Sequence, residues 1–95
     1  MTEESKTIFI GRKPAMSYVL AIITSLSASN TKEITLKARG QAITTAVDAA
    51  EIARNRFLKD LTISKIAIGT EEMPPREGEN SSRMVSTMEI VLAKP

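Results

Sequence analysis

Between Lys37 and Phe57 the hydrophobic period of the chain changes from two residues to 3.6 at a single glycine. Ile34, Leu36 and Ala38 alternate with Thr35, Lys37 and Arg39 up to Gly40, the pattern of a half-buried strand. Beyond Gly40, Ile43, Ala46, Val47, Ala50, Ala53 and Phe57 recur at three- and four-residue steps and predict one apolar helical stripe. Thr44, Asp48, Glu51 and Asn55 fall opposite it. A helix lying on a sheet follows, ending near Asn55–Phe57. Its first turn has no Ser, Thr, Asp or Asn cap, and Lys37 and Arg39 stand just before it, so an anion could supply the missing cap.

A similar switch occurs earlier. Lys6–Ile10 is short, β-branched and aromatic, and it stops at Gly11, as a first strand would. Gly11-Arg12-Lys13-Pro14 leads into a helix over Ala15–Leu26, with Pro14 suited to the first helical position because its missing N–H needs no partner there. The apolar residues of this helix wrap beyond one stripe, so it must touch a neighbouring helix or another subunit as well as the sheet. Small polar residues over Ser27–Asn30 end it, and Glu33–Arg39 forms the second strand. After the second helix, the alternation of Leu61-Thr62-Ile63 slips phase at Ser64-Lys65 before Ile66-Ala67-Ile68. Either a bulge intervenes or the first pair belongs to the connection, and the third strand is placed from about Ser64 to Met73. Pro74–Ser82 holds two prolines, Gly, Asn and alternating charges with no apolar residue, and reads as a long mobile loop. Met84–Leu92 is apolar on both faces, which predicts a central fourth strand.

The order is therefore βαβαββ, an α+β two-layer sandwich with two helices on one face of a four-stranded mixed sheet. A right-handed crossover makes the first two strands parallel, and parallel strands release their strand-to-helix turns at the same edge. Arg12, Lys13, Lys37 and Arg39 should then share one rim with two helix N-termini.

With 95 residues the chain makes one domain, 1–95, small enough that a partner surface would help its stability. Residues 1–5 are expected to be a disordered tail. The chain has no Cys and no His, so the usual general base, the thiolate ligand and the disulfide framework are all missing; no metal site or cofactor is implied. No apolar run approaches membrane-span length, and the acidic start is unlike a signal peptide, which points to a cytoplasmic protein. The net charge is only +2, but residues 6–70 carry ten Lys or Arg against four acids, with acidic ends on either side. A segregated basic body is the footprint of a polyanion partner. Neither glycine turn has nucleotide-loop spacing. Asp48 and Glu51 lie three apart on the wet face, where Arg54 and Asn55 are ordinary partners for Glu51. Only Phe9, Tyr18 and Phe57 are aromatic, two of them at or near apolar helical positions, so base stacking is not the main mode and phosphate contact remains.

Five segments occur in one order: Ile8-Phe9-Ile10-Gly11-Arg12-Lys13-Pro14-Ala15-Met16-Ser17-Tyr18-Val19, Lys37-Ala38-Arg39-Gly40, Ala46-Val47-Asp48, Glu51-Ile52-Ala53-Arg54-Asn55-Arg56-Phe57 and Val85-Ser86-Thr87-Met88-Glu89-Ile90. Together they resemble Alba, the small dimeric chromatin protein family of archaea, over nearly the whole chain. The resemblance implies a fold similar to the C-terminal domain of translation initiation factor three. It also implies a non-enzymatic, chromosome-associated homodimer that coats and packages double-stranded DNA largely without regard to sequence, binds RNA, and is regulated by lysine acetylation through an acetylase and deacetylase. Carried over by residue, the basic pair is Arg12 and Lys13, and the strand-end contacts are Lys37 and Arg39. Gln41 stands where another basic residue is usual. A minor-groove arm falls on a flexible hairpin at 74–83 with Arg76 and Arg83, weakened here by Glu71, Glu72, Glu77 and Glu79. The family's acetylated lysine falls on Arg12, which moves any acetylation in this turn to Lys13. Phe57 matches the dimer-to-dimer contact, although it also reads as a core residue closing the helical stripe. An RNA-binding subunit of a ribonucleoprotein is the alternative function.

Overall fold

The computed structural model describes residues 4–28 and 31–95. Four strands, β1 (Glu4–Phe9), β2 (Thr31–Arg39), β3 (Thr62–Met73) and β4 (Arg83–Ala93), form one sheet in the order β1-β2-β4-β3, and helices α1 (Ala15–Ser27) and α2 (Ala42–Ile52) follow β1 and β2. The βαβαββ order and the central place of β4 are as the sequence predicts. β1 pairs with β2 in parallel, and β4 runs antiparallel to both β2 and β3.

Strand β1 begins at Glu4, and Ser5 pairs with Glu33, so residues 4 and 5 belong to the sheet rather than to a tail; residues 1–3 of the expected tail lie outside the described residues. The segment that ends α1 is described only as far as Ala28. Pro14 is the residue before helix α1 rather than its first helical residue: with ψ at 151° it stays extended, and its carbonyl accepts the Ser17 N–H at 2.9 Å. The phase slip at Ser64 is a bulge inside β3, where the register with β4 shifts between Ile63 and Lys65.

One layer of core lies between sheet and helices. Ile34 and Leu36 from β2 and Ile90 and Leu92 from β4 meet Val19, Ile22 and Leu26 from α1 and Ala46, Ala49, Ala50 and Ala53 from the second helical segment. Four alanines at the contact allow that helix to lie close to its neighbours. Val47 is exposed, so the buried stripe is rotated from the predicted one and Ala49 takes its place.

The far end of this segment also departs from a 3.6-residue extrapolation. Ala53–Phe57 winds as one π-helical turn, closed by the Leu58 N–H on the Ala53 carbonyl at 2.7 Å. A five-residue spacing puts Leu58, not Phe57, beneath Ala53. Leu58 accordingly packs against the core, while Phe57 remains 51% exposed and is not a core residue. Phe57→Ala is therefore predicted to cost less than about 2 kcal/mol, against roughly 2 to 5 kcal/mol for Leu36→Ala. Urea unfolding of both variants checks this, and an equal loss in the two would return Phe57 to the core.

Candidate nucleic-acid interface

Three segments converge at one end of the sheet. The parallel pairing of β1 and β2 brings their C-terminal ends together, and the Ile10 N–H reaches the Lys37 carbonyl at 2.9 Å, so Gly11–Pro14 starts beside the last turn of β2. β4 is antiparallel to β2, so the β3–β4 hairpin enters at the same end, where the Gly40 N–H is held by the Ser86 carbonyl at 2.8 Å. Beyond the Arg39–Thr87 pair the hairpin continues as two strands alone, as far as Met73 opposite Arg83. Arg12, Lys13, Lys37, Arg39 and Gln41 thus share a rim, and from it rises the arm, with Arg83 at the last pair of its ladder and Arg76 at its turn.

Local chemistry fixes each turn. Tyr18, buried on the first turn of α1, points its hydroxyl back to accept N–H groups from Gly11 at 2.8 Å and Lys13 at 3.2 Å. The sequence offered no sign of this role. It leaves the Arg12 and Lys13 side chains exposed, and among the described residues neither takes part in an ion pair. The second turn depends on Gly40, whose φ of +59° lies in the left-handed region that residues with a Cβ rarely adopt. Gln41 is the residue before α2 and makes no side-chain cap, so the first N–H groups of the helix lack a side-chain acceptor.

Lys37 and Arg39 stand in a different electrostatic setting from Arg12 and Lys13. They project from the sheet face opposite the helices, where Lys37 pairs with Glu89 at 3.3 Å and Arg39 with Glu71 at 3.0 Å. All four side chains are about half exposed, and such pairs are worth little in water. A phosphate could displace the carboxylates, but it would meet their repulsion first. Two of the arm's other acids are also engaged within it: Glu72 accepts from the Ser82 hydroxyl at 3.1 Å, and Glu79 accepts from the Arg76 N–H at 3.0 Å. Gly78 supplies the positive φ, +87°, at the third position of the Arg76–Glu79 turn.

Asp48 lies exposed on α2, and Glu51 pairs with Arg54 at 2.8 Å, the ordinary surface arrangement that their spacing predicts. Among the described residues no group of three or more His, Cys, Asp or Glu is placed to hold a metal ion, and no helix is long and apolar enough to cross a membrane.

Tyr18→Phe should release the Gly11 and Lys13 amides. A stability loss of about 1 kcal/mol is predicted, with faster hydrogen exchange at those two amides. Unchanged protection would show that the hydroxyl does not order the turn.

The model of the Alba family matches residues 6–70, which includes both strand-to-helix turns and stops before the hairpin turn. The DNA/RNA-binding protein Alba of Methanocella arvoryzae is 49% identical over 92 residues, 97% of this chain and 93% of its own. The DNA/RNA-binding protein Alba 1 of Archaeoglobus fulgidus is 47% identical, with 99% of each chain covered. Among solved structures, Alba from Thermoplasma volcanium superposes with a TM-score of 0.83 at 43% identity, covering 93% of this chain and 99% of that one. ALBA1 from Trypanosoma brucei gives 0.69 at 25% identity, covering 93% and 68%. By fold, by family model and by identity along almost its full length, the chain belongs to the Alba family.

Proposed function

We propose that this protein is a non-enzymatic, nucleic-acid-binding homodimer that coats and packages double-stranded DNA with little regard to sequence and also binds RNA. The observation that carries the reading is the meeting of two cationic strand-to-helix turns and a hairpin arm at one end of the sheet, in a chain whose relatives are named DNA/RNA-binding proteins. Arg12 and Lys13 are the primary phosphate contacts, because they are exposed and without an ion-pair partner among the described residues. Lys37, Arg39 and Gln41 extend the contact along the rim. The arm, with Arg76 and Arg83, is the flexible element that follows a groove, and its acids weaken its grip. Such a protein works in the cytoplasm on the chromosome.

A second copy is supported by apolar surface that the chain's own helices leave open. Ile66 and Ile68 on β3 and Met84 on β4 lie on the helix-facing side of the sheet, by register with Ile90, Met88 and Glu72, yet they are 55%, 79% and 66% exposed. Burying such a patch against its own copy fits a small chain with a modest core. Phe57, half exposed at the π turn, is then free to meet a neighbouring dimer on DNA.

Contacts to phosphate carry no base information, so Arg12→Ala, Lys13→Ala and Arg39→Ala are each predicted to weaken all duplex sequences alike. Each should lower the salt dependence of binding by about 0.9 per lost contact. Arg39, which starts from an ion pair with Glu71, should lose the least. Titration at several salt concentrations reads this directly, and an unchanged slope in all three variants would contradict a shared rim.

Acetylation removes the charge of a lysine and cannot act on a guanidinium. In this turn the proposed switch is therefore Lys13 alone, with Arg12 permanently cationic. Lys13→Gln should weaken duplex binding by less than Arg12→Gln with Lys13→Gln. Equal losses would remove Arg12 from the interface.

A further inference from the structure

Phe9 is the one aromatic side chain that the two functional turns and the helices leave unused. It is the last residue of β1 and 74% exposed, flanked in sequence by Ile8 and Ile10, which turn toward the core. Its strand partner is Lys37, whose partner is Glu89, whose partner is Ala67, so these four form one row across the sheet face that no helix covers. In the next row Arg39, Thr87 and Gly69 follow in order. Ala67 and Gly69 are the small members of these rows, and the surface over them is an open groove of about 580 Å³ with Phe9 at one side and the cationic strand end of β2 as its floor.

From the exposed ring beside this floor we infer that the open sheet face is a second binding site, one that takes an unpaired nucleic-acid base stacked on Phe9. An exposed phenyl ring offers a π-face that every base can use, and stacking of this kind is tolerant of sequence. One strand across and two residues along, Arg39 lies roughly 8 Å from Phe9 by sheet geometry, about the reach from a base to the phosphates of its own nucleotide. Lys37 stands between them. Glu89 offers carboxylate oxygens to a base amino group, which a phosphate-only site would have no use for. A base inside a duplex has no free face to give the ring, so this site selects single strands or unpaired loops where the rim selects backbones. The groove's charges, Lys37 and Arg39 against Glu89 and Glu71, cancel. Its affinity should therefore come from stacking and depend less on salt than duplex binding does.

The inference rests on the nucleic-acid-binding reading above, and one experiment separates the two. The full chain, as wild type, Phe9→Ala and Phe9→Tyr, is titrated with an A-rich single strand carrying 2-aminopurine, made once as RNA and once as DNA, and with a duplex of the same sequence. Wild type and Phe9→Tyr should quench the 2-aminopurine fluorescence. Phe9→Ala should lose the quenching and about 5- to 150-fold of single-strand affinity, while its duplex affinity stays within about twofold and its circular dichroism is unchanged. The RNA and DNA arms state which single strand the face prefers. Wild-type quenching and affinity retained in Phe9→Ala would overturn the stacking site, as would a parallel fall of single-strand and duplex affinity. Binding of neither probe by the wild type would overturn this inference and the proposed function together.

Discussion

Parallel pairing of β1 with β2 is the constraint on which the rest of the structure depends. Two neighbouring strands that run the same way need a crossover between them, here through α1, and both leave the sheet at the same edge. That edge receives Gly11-Arg12-Lys13-Pro14 and Lys37-Ala38-Arg39-Gly40, and the antiparallel entry of β4 between β2 and β3 adds the hairpin arm to it. The cations are gathered by topology rather than by proximity in sequence. Their positions are then fixed by short-range chemistry: the Tyr18 hydroxyl on the first turn, and the left-handed Gly40 with its bond to Ser86 on the second.

Charge is distributed more finely than a basic body between acidic ends. The rim's cations divide into those of the first turn, which take part in no ion pair among the described residues, and those of the strand end, which face Glu71 and Glu89 across the sheet. Glu71 comes from the arm itself, so its pair with Arg39 ties the arm to the rim, and a polyanion bound there as proposed would have to displace it. Each half-exposed pair is weak, so under the proposed function the exchange is easy and the first turn is the dominant electrostatic contact.

The element order, the central place of β4, the phase slip at Ser64 and the shared rim were legible in the sequence because hydrophobic period and strand handedness are local or generic rules; that the slip is a bulge inside β3 is decided by the register with β4. Other features were not. The π turn at Ala53–Phe57 leaves no mark in an alanine-rich segment, and without it the stripe extrapolates to Phe57 instead of Leu58. Val47 reads as core by spacing, yet the four alanines beside it draw the helix down and turn it outward. Pro14 fits either side of a helix start, and only its extended ψ places it outside. The pairing of Arg39 with Glu71 depends on a register between strands more than thirty residues apart, which no local pattern encodes. Phe9 looks like any aromatic in a short strand until the sheet face it occupies is known to be bare.

Under the proposed function, polyanions meet the end of the sheet where the two turns and the arm converge. The most direct measurement is an amide-resolved NMR titration of the full chain with a short DNA duplex. It should shift the resonances of Gly11–Lys13, Lys37–Gln41 and the arm around Arg76 and Arg83, and leave the outer face of α2 around Asp48 in place. Shifts confined to the helical face, with Gly11–Lys13 and Gly40 unmoved, would contradict it.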